Sequence, residues 1–386
     1  SSAASDVYKI QEEDFDQRPM LLPVYNGVID LTTGTMTAAK PGDLLTRRLD
    51  VDYNPRADKT AWEQFILDIT GDADVAAFIK RTFGYACTGH SHEQFLWFFI
   101  GPGRNGKSLM FNSLYEVMKP YYLNASPGML ISQKHEPPPS ATSEHIYSVM
   151  GMRIVVSPET KPGQVIDTRM VKQLTGSDLI TCRPNFRSEI QFRPALTLFL
   201  QTNHAPRGLA GEWAMSQRLL KVEFPFMYVD DPAAEAEKNP MRADFFKKKD
   251  KNLKDKLLAN REGILRWLVE GCLEWQREGI SPPAKVLRWV DEMVRIEDYL
   301  GEFIRDCLVA GEKIPLKEVH RALVWWWDEN QGGAKQYIPT IKTIKQAFLD
   351  RGYRVEKKGG RNLLYDFNLN FETNQSINTY RHDEGP

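Results

Sequence analysis

The feature that most constrains this chain is an apolar run, Phe95-Leu96-Trp97-Phe98-Phe99-Ile100, that ends in Gly101-Pro102-Gly103-Arg104-Asn105-Gly106-Lys107-Ser108. Uninterrupted apolar character suits a strand covered on both faces. The octet fits G-x-x-x-x-G-K-[ST] without exception, and helical residues 108–118 follow. Strand, glycine turn and helix in that order form a phosphate cradle. Glycines let backbone N–H groups curl around phosphate oxygens where a side chain would block approach. The helix adds its N-terminal dipole. Lys107 is placed to reach the β- and γ-phosphates of ATP, and Ser108 to offer its hydroxyl to Mg2+. The residues expected to touch the nucleotide are Gly101, Gly103, Arg104, Asn105, Gly106, Lys107, Ser108 and Leu109.

Ahead of this loop, residues 26–34 alternate apolar and polar between glycines, which predicts a small hairpin. Trp62, Phe65, Ile66, Ile69, Val75, Phe78, Ile79 and Phe83 recur at helical spacing, interrupted by Gly71-Asp72, which predicts two packed helices. After the loop, strand candidates fall at 153–156, 179–182, 190–192, 196–201 and 219–224, so a mostly parallel αβα core is expected from about 94 to 226. Residues 231–256 are rich in Lys, Asp and Ala and read as a solvated surface segment. A helix over 257–278 carries a broad apolar face; Ser281-Pro282-Pro283 breaks it and residues 286–294 resume. Helical segments at 299–309, 317–329 and 340–351 precede two short strands around the basic loop 356–362, the outline of a winged helix. Within Trp325-Trp326-Trp327, consecutive positions face different sides of a helix, so two are expected in the core and one outside. Residues 1–20 and the tail from 371 are polar and expected to be loose.

A phosphate loop needs an acidic group that activates water. Arg153-Ile154-Val155-Val156-Ser157-Pro158-Glu159 delivers Glu159 where a strand ends, the edge at which α/β sheets bind ligands. Glu159 would orient the attacking water and is a candidate metal ligand beside Ser108. Pro158 stands where a second acid is usual, so the metal set is short of carboxylates. Asn203 ends the next strand and suits contact with the γ-phosphate and water; a turn-forming Asn before His204-Ala205-Pro206 is the plainer alternative. Arg218 precedes the last core strand and suits transition-state charge in a neighbouring subunit, or a surface ion pair.

In this order the motifs resemble the superfamily 3 helicases, most closely the helicase half of the phage and plasmid primase-helicases, with poxvirus primase-helicases as cousins. The resemblance runs through Asn26-Gly27-Val28-Ile29-Asp30-Leu31, Gly84-Tyr85, the phosphate loop, Arg153 to Thr160, Lys172-Gln173-Leu174-Thr175-Gly176-Ser177-Asp178, Thr202-Asn203-His204-Ala205-Pro206, Arg218-Leu219 and Gly263-Ile264-Leu265-Arg266-Trp267. It implies an α/β protein with an AAA+-like αβα P-loop core, assembled as a homo-hexameric ring with ATP and Mg2+ between subunits. Lys107 and Ser108 would form Walker A, Glu159 Walker B, Asn203 the sensor and Arg218 the finger acting in trans. Residues 172–192 match the motif whose hairpin grips single-stranded DNA in the central channel. The residues of that stretch are apt for such a grip. Its strands pair around Pro184-Asn185-Phe186-Arg187, and Arg183, Phe186 and Arg187, with Lys172 earlier in the motif, supply cations for phosphate and a ring for stacking.

The implied partners are single-stranded DNA, replication forks and a primase or polymerase domain in the same or another chain. The implied polarity is 3′ to 5′ and the implied compartment the host cytoplasm. No primase domain precedes the helicase region, so the chain is expected to be either a fragment or a stand-alone helicase. The expected division is 1–93, an N-terminal hairpin and mostly helical region; 94–230, the ATPase core; 231–296, a helical linker or lid; 297–370, the winged-helix-like domain; and 371–386, the tail.

Composition narrows the classes. With 50 basic and 51 acidic residues the net charge is −1, so any nucleic-acid surface must be a local concentration of cations. No apolar run is long enough for a membrane helix, and Ser1-Ser2-Ala3-Ala4-Ser5 lacks the pattern of a secretory signal. Cys87, Cys182, Cys272 and Cys307 have no C-x-x-C spacing; they read as reduced thiols, and no zinc site is expected. Three competitors remain. A DNA-packaging motor should bring a nuclease domain. A small-molecule kinase would leave the hairpin motif unexplained. A non-motor initiator would bind an origin through the winged helix, with Lys342, Lys345, Lys357, Lys358 and Arg361 on phosphates.

Overall fold

The structure is a computed structural model that describes residues 14–132, 143–158, 166–203, 218–330 and 338–379. The chain opens with a three-stranded antiparallel sheet, β1 (Leu21–Val24), β2 (Gly27–Asp30) and β3 (Thr35–Thr37). The hairpin expected over 26–34 contains only β2; its partners β1 and β3 lie on either side of that range. Two helices follow, α1 (Thr60–Thr70) and α2 (Ala73–Ala86). The break between them has two causes. Gly71 takes a left-handed φ of 64° and ends α1. The Asp72 carboxylate then caps α2 by accepting from the N–H groups of Asp74 and Val75.

Next come β4 (Leu96–Ile100), α3 (Lys107–Met118), β5 (Tyr122–Asn124), α4 (Glu144–Tyr147), β6 (Ile154–Ser157) and α5 (Thr168–Thr175). They are followed by β7 (Ile180–Cys182), β8 (Ile190–Phe192), β9 (Thr197–Thr202) and β10 (Leu219–Glu223). Five of these strands form one parallel sheet in the order β10-β4-β9-β6-β5. The first strand of the core is therefore central, and its phosphate loop leaves the middle of the carboxyl edge. β7 and β8 form a separate antiparallel pair.

Aromatic rings weld this sheet to the helices. Phe83 of α2 stacks on Phe199 of β9 at 4.7 Å, and Phe99, Phe111 and Trp97 meet the same ring. Each such pair contributes about 0.5–1.5 kcal/mol beyond its area burial. Beyond β10, β11 (Met227–Val229) pairs in parallel with β12 (Phe246–Lys248) around α6 (Pro232–Lys238). The segment expected to be plain surface, 231–256, is mostly exposed and also supplies β12, whose partner β11 precedes it. Then come α7 (Leu253–Leu258) and α8 (Arg261–Glu278). α8 packs along α2, and the crossing is made by glycines: a Cβ at Gly84 would overlap the backbone of Gly271 and Cys272, and one at Gly271 the carbonyl of Lys80.

Contacts divide the chain into two compact units that meet in sequence at Leu287–Arg288. The second contains the end of α9 (Ala284–Cys307), β13 (Leu308–Pro315), α10 (Leu316–Asn330), α11 (Ile341–Asp350), β14 (Val355–Lys358), β15 (Arg361–Leu369) and α12 (Phe371–Thr379). Its antiparallel sheet has the order β13-β15-β14. Residues 308–309, expected in a helix, begin β13 instead. Residues 371–379, expected to be loose, form α12, held by Ile377 in the core and by the Asn370 side chain accepting from the Thr373 N–H. Trp326 and Trp327 are buried, and Trp325 packs half-buried against the same cluster.

Candidate nucleotide site and nucleic-acid hairpin

The carboxyl edge of the sheet places the phosphate loop. β4 and β9 are in register with Ile100 beside Thr202, so Gly101 and Asn203 leave the sheet side by side. Lys107 is buried, and its Nζ donates to Gly101 O at 2.7 Å and to Asn203 Oδ1 at 3.2 Å. Ser108, in the first turn of α3, is exposed, and its Oγ accepts from Gln201 Nε2 at 2.9 Å. Four polar side chains from two elements thus converge on one turn of helix.

The loop is shaped for an anion. A Cβ at Gly101 would meet Phe224 O and, at 2.6 Å, Asn105 Nδ2; one at Gly106 would lie 2.5 Å from Ile69 Cγ2. Gly106 has a φ of 90°, which glycine adopts freely, and Arg104 one of 62°, a left-handed conformation that costs a non-glycine residue energy. Asn105 Oδ1 accepts from the Lys107 N–H at 3.2 Å, while its buried Nδ2 has no hydrogen-bond partner among the described residues. A buried donor left over in a glycine cradle, with a lysine and an exposed serine beside it, fits a phosphate with a divalent cation. Leu109 follows in α3, half-buried. Glu159 lies outside the described residues; β6 ends at Ser157, beside Leu200 of β9, and points the chain toward this edge.

Arg218 is elsewhere. It precedes Leu219, which pairs with Leu96, so it stands at the amino edge of the sheet, about 15 Å from its own loop at ~3.3 Å per residue. Its guanidinium donates to Thr175 Oγ1 at 3.2 Å and approaches Lys172 O at 3.5 Å. Those groups form the last turn of α5, where the helix dipole favours a cation.

β7 and β8 pair Ile180 with Phe192 and Cys182 with Ile190. The connection between them presents Arg183 and Arg187, both exposed, and Phe186, wholly exposed with a φ of 60°. Lys172 is not brought to this tip; it sits on α5. Beneath the tip lies α4. Glu144 accepts from the Asn185 N–H at 2.9 Å, the Ser143 N–H donates to Arg183 O at 2.8 Å, and the Arg187 guanidinium donates to Tyr147 Oη at 3.3 Å. β8 leads into β9, so the hairpin enters at the amino edge, opposite the loop.

Gln201, Tyr147, Glu144 and Tyr228 belong to these sites but to no motif. The Tyr228 N–H donates to Arg104 O at 2.8 Å and its hydroxyl to Asp68 O at 2.9 Å. Burial, then Asp68, pushes this phenol up to about 12, so it remains a donor at neutral pH. Only the pairing of short polar positions at strand ends hints at Gln201; nothing in the sequence marks the others.

Comparison with known proteins bears on this arrangement. The family model described as D5 N terminal like matches residues 2–71. A helicase-designated protein of Acanthamoeba polyphaga mimivirus, L207/L206, is 25% identical over 382 residues, 94% of this chain and 38% of that protein. Over most of its length the chain is thus similar to a viral protein designated a helicase. A helicase-designated protein of Sputnik virophage, V13, is 25% identical over 62% of this chain and 32% of its own length. The chain therefore spans about a third of the curated relatives it matches. An apo structure of the NrS-1 C-terminal region aligns with 84% of this chain and 80% of its own at 13% identity, with a TM-score of 0.49. Among the described residues, no helix is long and apolar enough to cross a membrane, and no group of three His, Cys, Asp or Glu is placed to hold a metal ion.

Proposed function

We propose that this chain is the ATP-driven helicase part of a viral or phage primase-helicase, of the superfamily 3 and AAA+ type, working as a homo-hexameric ring on single-stranded DNA with 3′ to 5′ polarity. One observation carries the reading. A single strand, β9, is preceded by the exposed Arg183-Phe186-Arg187 hairpin at one edge and ends in Gln201 and Asn203 on Ser108 and Lys107 at the other. Mg2+ and ATP, when bound, supply the phosphoryl group and the charge that polarises it. The chain supplies the rest. Loop N–H groups and Lys107 hold phosphate oxygens, Ser108 offers a metal ligand, and Glu159 orients water. Asn203 holds Lys107 until a phosphate replaces it.

Arg218 stands at the edge away from its own loop, which supports a role at a neighbouring subunit's nucleotide. Six hairpins would line a channel with positive charge although each chain is near neutral. A primase or polymerase domain elsewhere in the chain or in another chain would complete the machine at the fork in the host cytoplasm. The domain division expected from the sequence belongs to this reading.

The test is ATP hydrolysis with and without single-stranded DNA, on the wild type and Lys107→Ala, with mass from light scattering. DNA-stimulated hydrolysis by an oligomer, abolished in the variant, is expected. Hydrolysis indifferent to DNA, or none in a hexamer with Mg2+, refutes the motor.

A second reading has an observation in its favour. Helix, strand, helix, helix and a two-stranded turn in the second unit fit a winged helix, with exposed Lys342 on α11 and exposed Lys357, Lys358 and Arg361 around Gly359-Gly360. An origin-binding initiator without motor activity would use that surface. Glu159→Gln separates the two: a motor loses unwinding and keeps DNA binding, whereas an initiator is unaffected in its DNA-dependent role.

A further inference from the structure

Gln201 and Asn203 are two residues apart at the end of β9, so their side chains share one face of the sheet. Each holds one of two adjacent groups in the first turn of α3: Asn203 the Lys107 ammonium at 3.2 Å, Gln201 the Ser108 hydroxyl at 2.9 Å. A serine hydroxyl has one hydrogen and two lone pairs. The Gln201 N–H occupies one lone pair. One lone pair and the hydrogen remain, which is the inventory a divalent cation and a phosphate oxygen would use together. The bond also stops the hydroxyl from rotating, so the free lone pair has a fixed direction. Ser108 is exposed and Gln201 half-exposed, so both can meet solvent or a ligand. The need is greater here than in a site with paired acids, because Pro158 takes the place of one of them. A strand-end glutamine that served only to pack would not direct its amide to the one loop hydroxyl suited to a metal.

We propose that Gln201 is a positioning residue that orients the Ser108 hydroxyl, and that the metal dependence of nucleotide binding is set through it. This rests on the P-loop reading of the site. Gln201 donates to Ser108 through its Nε2, which leaves its side-chain carbonyl oxygen as an acceptor that a metal-bound or attacking water molecule would use. The bond Gln201 makes is neutral and partly exposed, so its loss changes the metal requirement without emptying the site.

The experiment titrates a fluorescent ATP analogue into the full chain at saturating Mg2+ and in excess EDTA, then titrates Mg2+ at fixed nucleotide. It compares wild type, Gln201→Ala, Gln201→Glu and Lys107→Ala, with thermal unfolding as a check on folding. Gln201→Ala is expected to keep its affinity in EDTA and its melting temperature, and to need about two- to tenfold more Mg2+ at half-saturation, the scale of one neutral hydrogen bond. Gln201→Glu, which puts a carboxylate beside the cation, is expected to need less Mg2+ than wild type, and it carries the test alone if the alanine variant does not fold. An unchanged Mg2+ midpoint in the variants, or equal loss of affinity with and without Mg2+, overturns the proposal while leaving the P-loop reading standing. A wild type that binds no nucleotide, indistinguishable from Lys107→Ala, sinks the P-loop reading and this proposal with it.

Discussion

Gly84→Ala is the most direct test of how the first unit is held together. Gly84 on α2 faces Gly271 on α8, and a methyl group there would overlap the backbone of Gly271 and Cys272. Both obstacles are main chain, so no side chain can rotate away. To restore an ordinary carbon contact of about 3.5–4.0 Å, the helices must part by about 1 Å or more. That separation also strains the Lys80 bridges to Glu270 at 3.2 Å and Glu274 at 2.7 Å. Overpacking of this kind costs about 1–3 kcal/mol, and the rigid surroundings place it at the upper end. Alanine's better fit to a helix returns about 0.5–1 kcal/mol. A net loss of about 2 kcal/mol lowers the melting temperature by about 4–8 °C in a unit of this size. Differential scanning calorimetry should show the loss in the transition of the unit containing α2 and α8, with the transition of the second unit unmoved. Gly42→Ala is the control: a Cβ there meets nothing within 4 Å, and its change should stay within about 0.5 kcal/mol. A Gly84→Ala protein that melts at or above the wild-type temperature would refute the close crossing.

Two further expectations follow from the hairpin and from the ion cluster around Glu270. Replacing Arg183 and Arg187 together by alanine should flatten the salt dependence of single-stranded DNA affinity by about 1.4 in log–log slope, at about 0.7 per phosphate contact. Phe186→Ala should cost about 1–3 kcal/mol with little change in slope; an unaltered slope in the arginine variant would remove the tip from the DNA path. Burial raises the Glu270 carboxyl, but hydrogen bonds from Lys59 and Lys80 outweigh it and leave it below the ordinary range. A depressed acid contributes stability above its unfolded value near ~4.3 and loses it as pH falls through its folded value. Glu270→Gln should therefore melt lower than wild type at pH 7, and the gap should close below about pH 4; a gap independent of pH would exclude the ion pairs as its source.

How much of this was legible depended on the length of the signal and on its covering. β4 was plain because Leu96 to Phe99 are buried on both faces, which leaves an unbroken apolar run. Gly71-Asp72 was plain because ending one helix and capping the next both require particular residues. β5 has only three residues and one partner, too few for any period to show. β13 reads poorly because it carries an irregularity between Ala310 and Lys313 and buries only Leu308 and Ile314. β11 has only three residues, and β12 lies in a lysine-rich stretch; their pairing is made by backbone, which the sequence does not record. The same holds at the site. Lys107, Ser108 and Asn203 stand at motif positions, and Lys107 and Asn203 are in contact, whereas Gln201 is an ordinary polar residue until the register of β9 sets it beside α3. Tyr228 acts partly through its N–H, and every residue but proline has one.

The leading region bears on where the proposed nucleotide site ends. The family model stops at residue 71, and a boundary at 93 would separate everything before it from the loop. Yet Ile69 of α1 is the wall against which Gly106 turns, Phe65 stands 3.5 Å from the same position, and the ring of Phe226 lies against Gly71. Asp68 takes the Tyr228 hydroxyl, and Tyr228 in turn holds Arg104 in its strained conformation. The buried Arg153 adds a second tie across the region: it donates to Cys87 O at 2.6 Å and Leu21 O at 2.8 Å and lies over the Tyr121 ring. Burial pulls its pKa down, and the two carbonyls and the ring stand in for the water it has lost. The phosphate loop is thus shaped as much by α1 and by the segment after β10 as by its own glycines. A P-loop octet states what the loop can bind; its strained geometry comes from the last turn of α1 and from Tyr228, neither of which belongs to the octet.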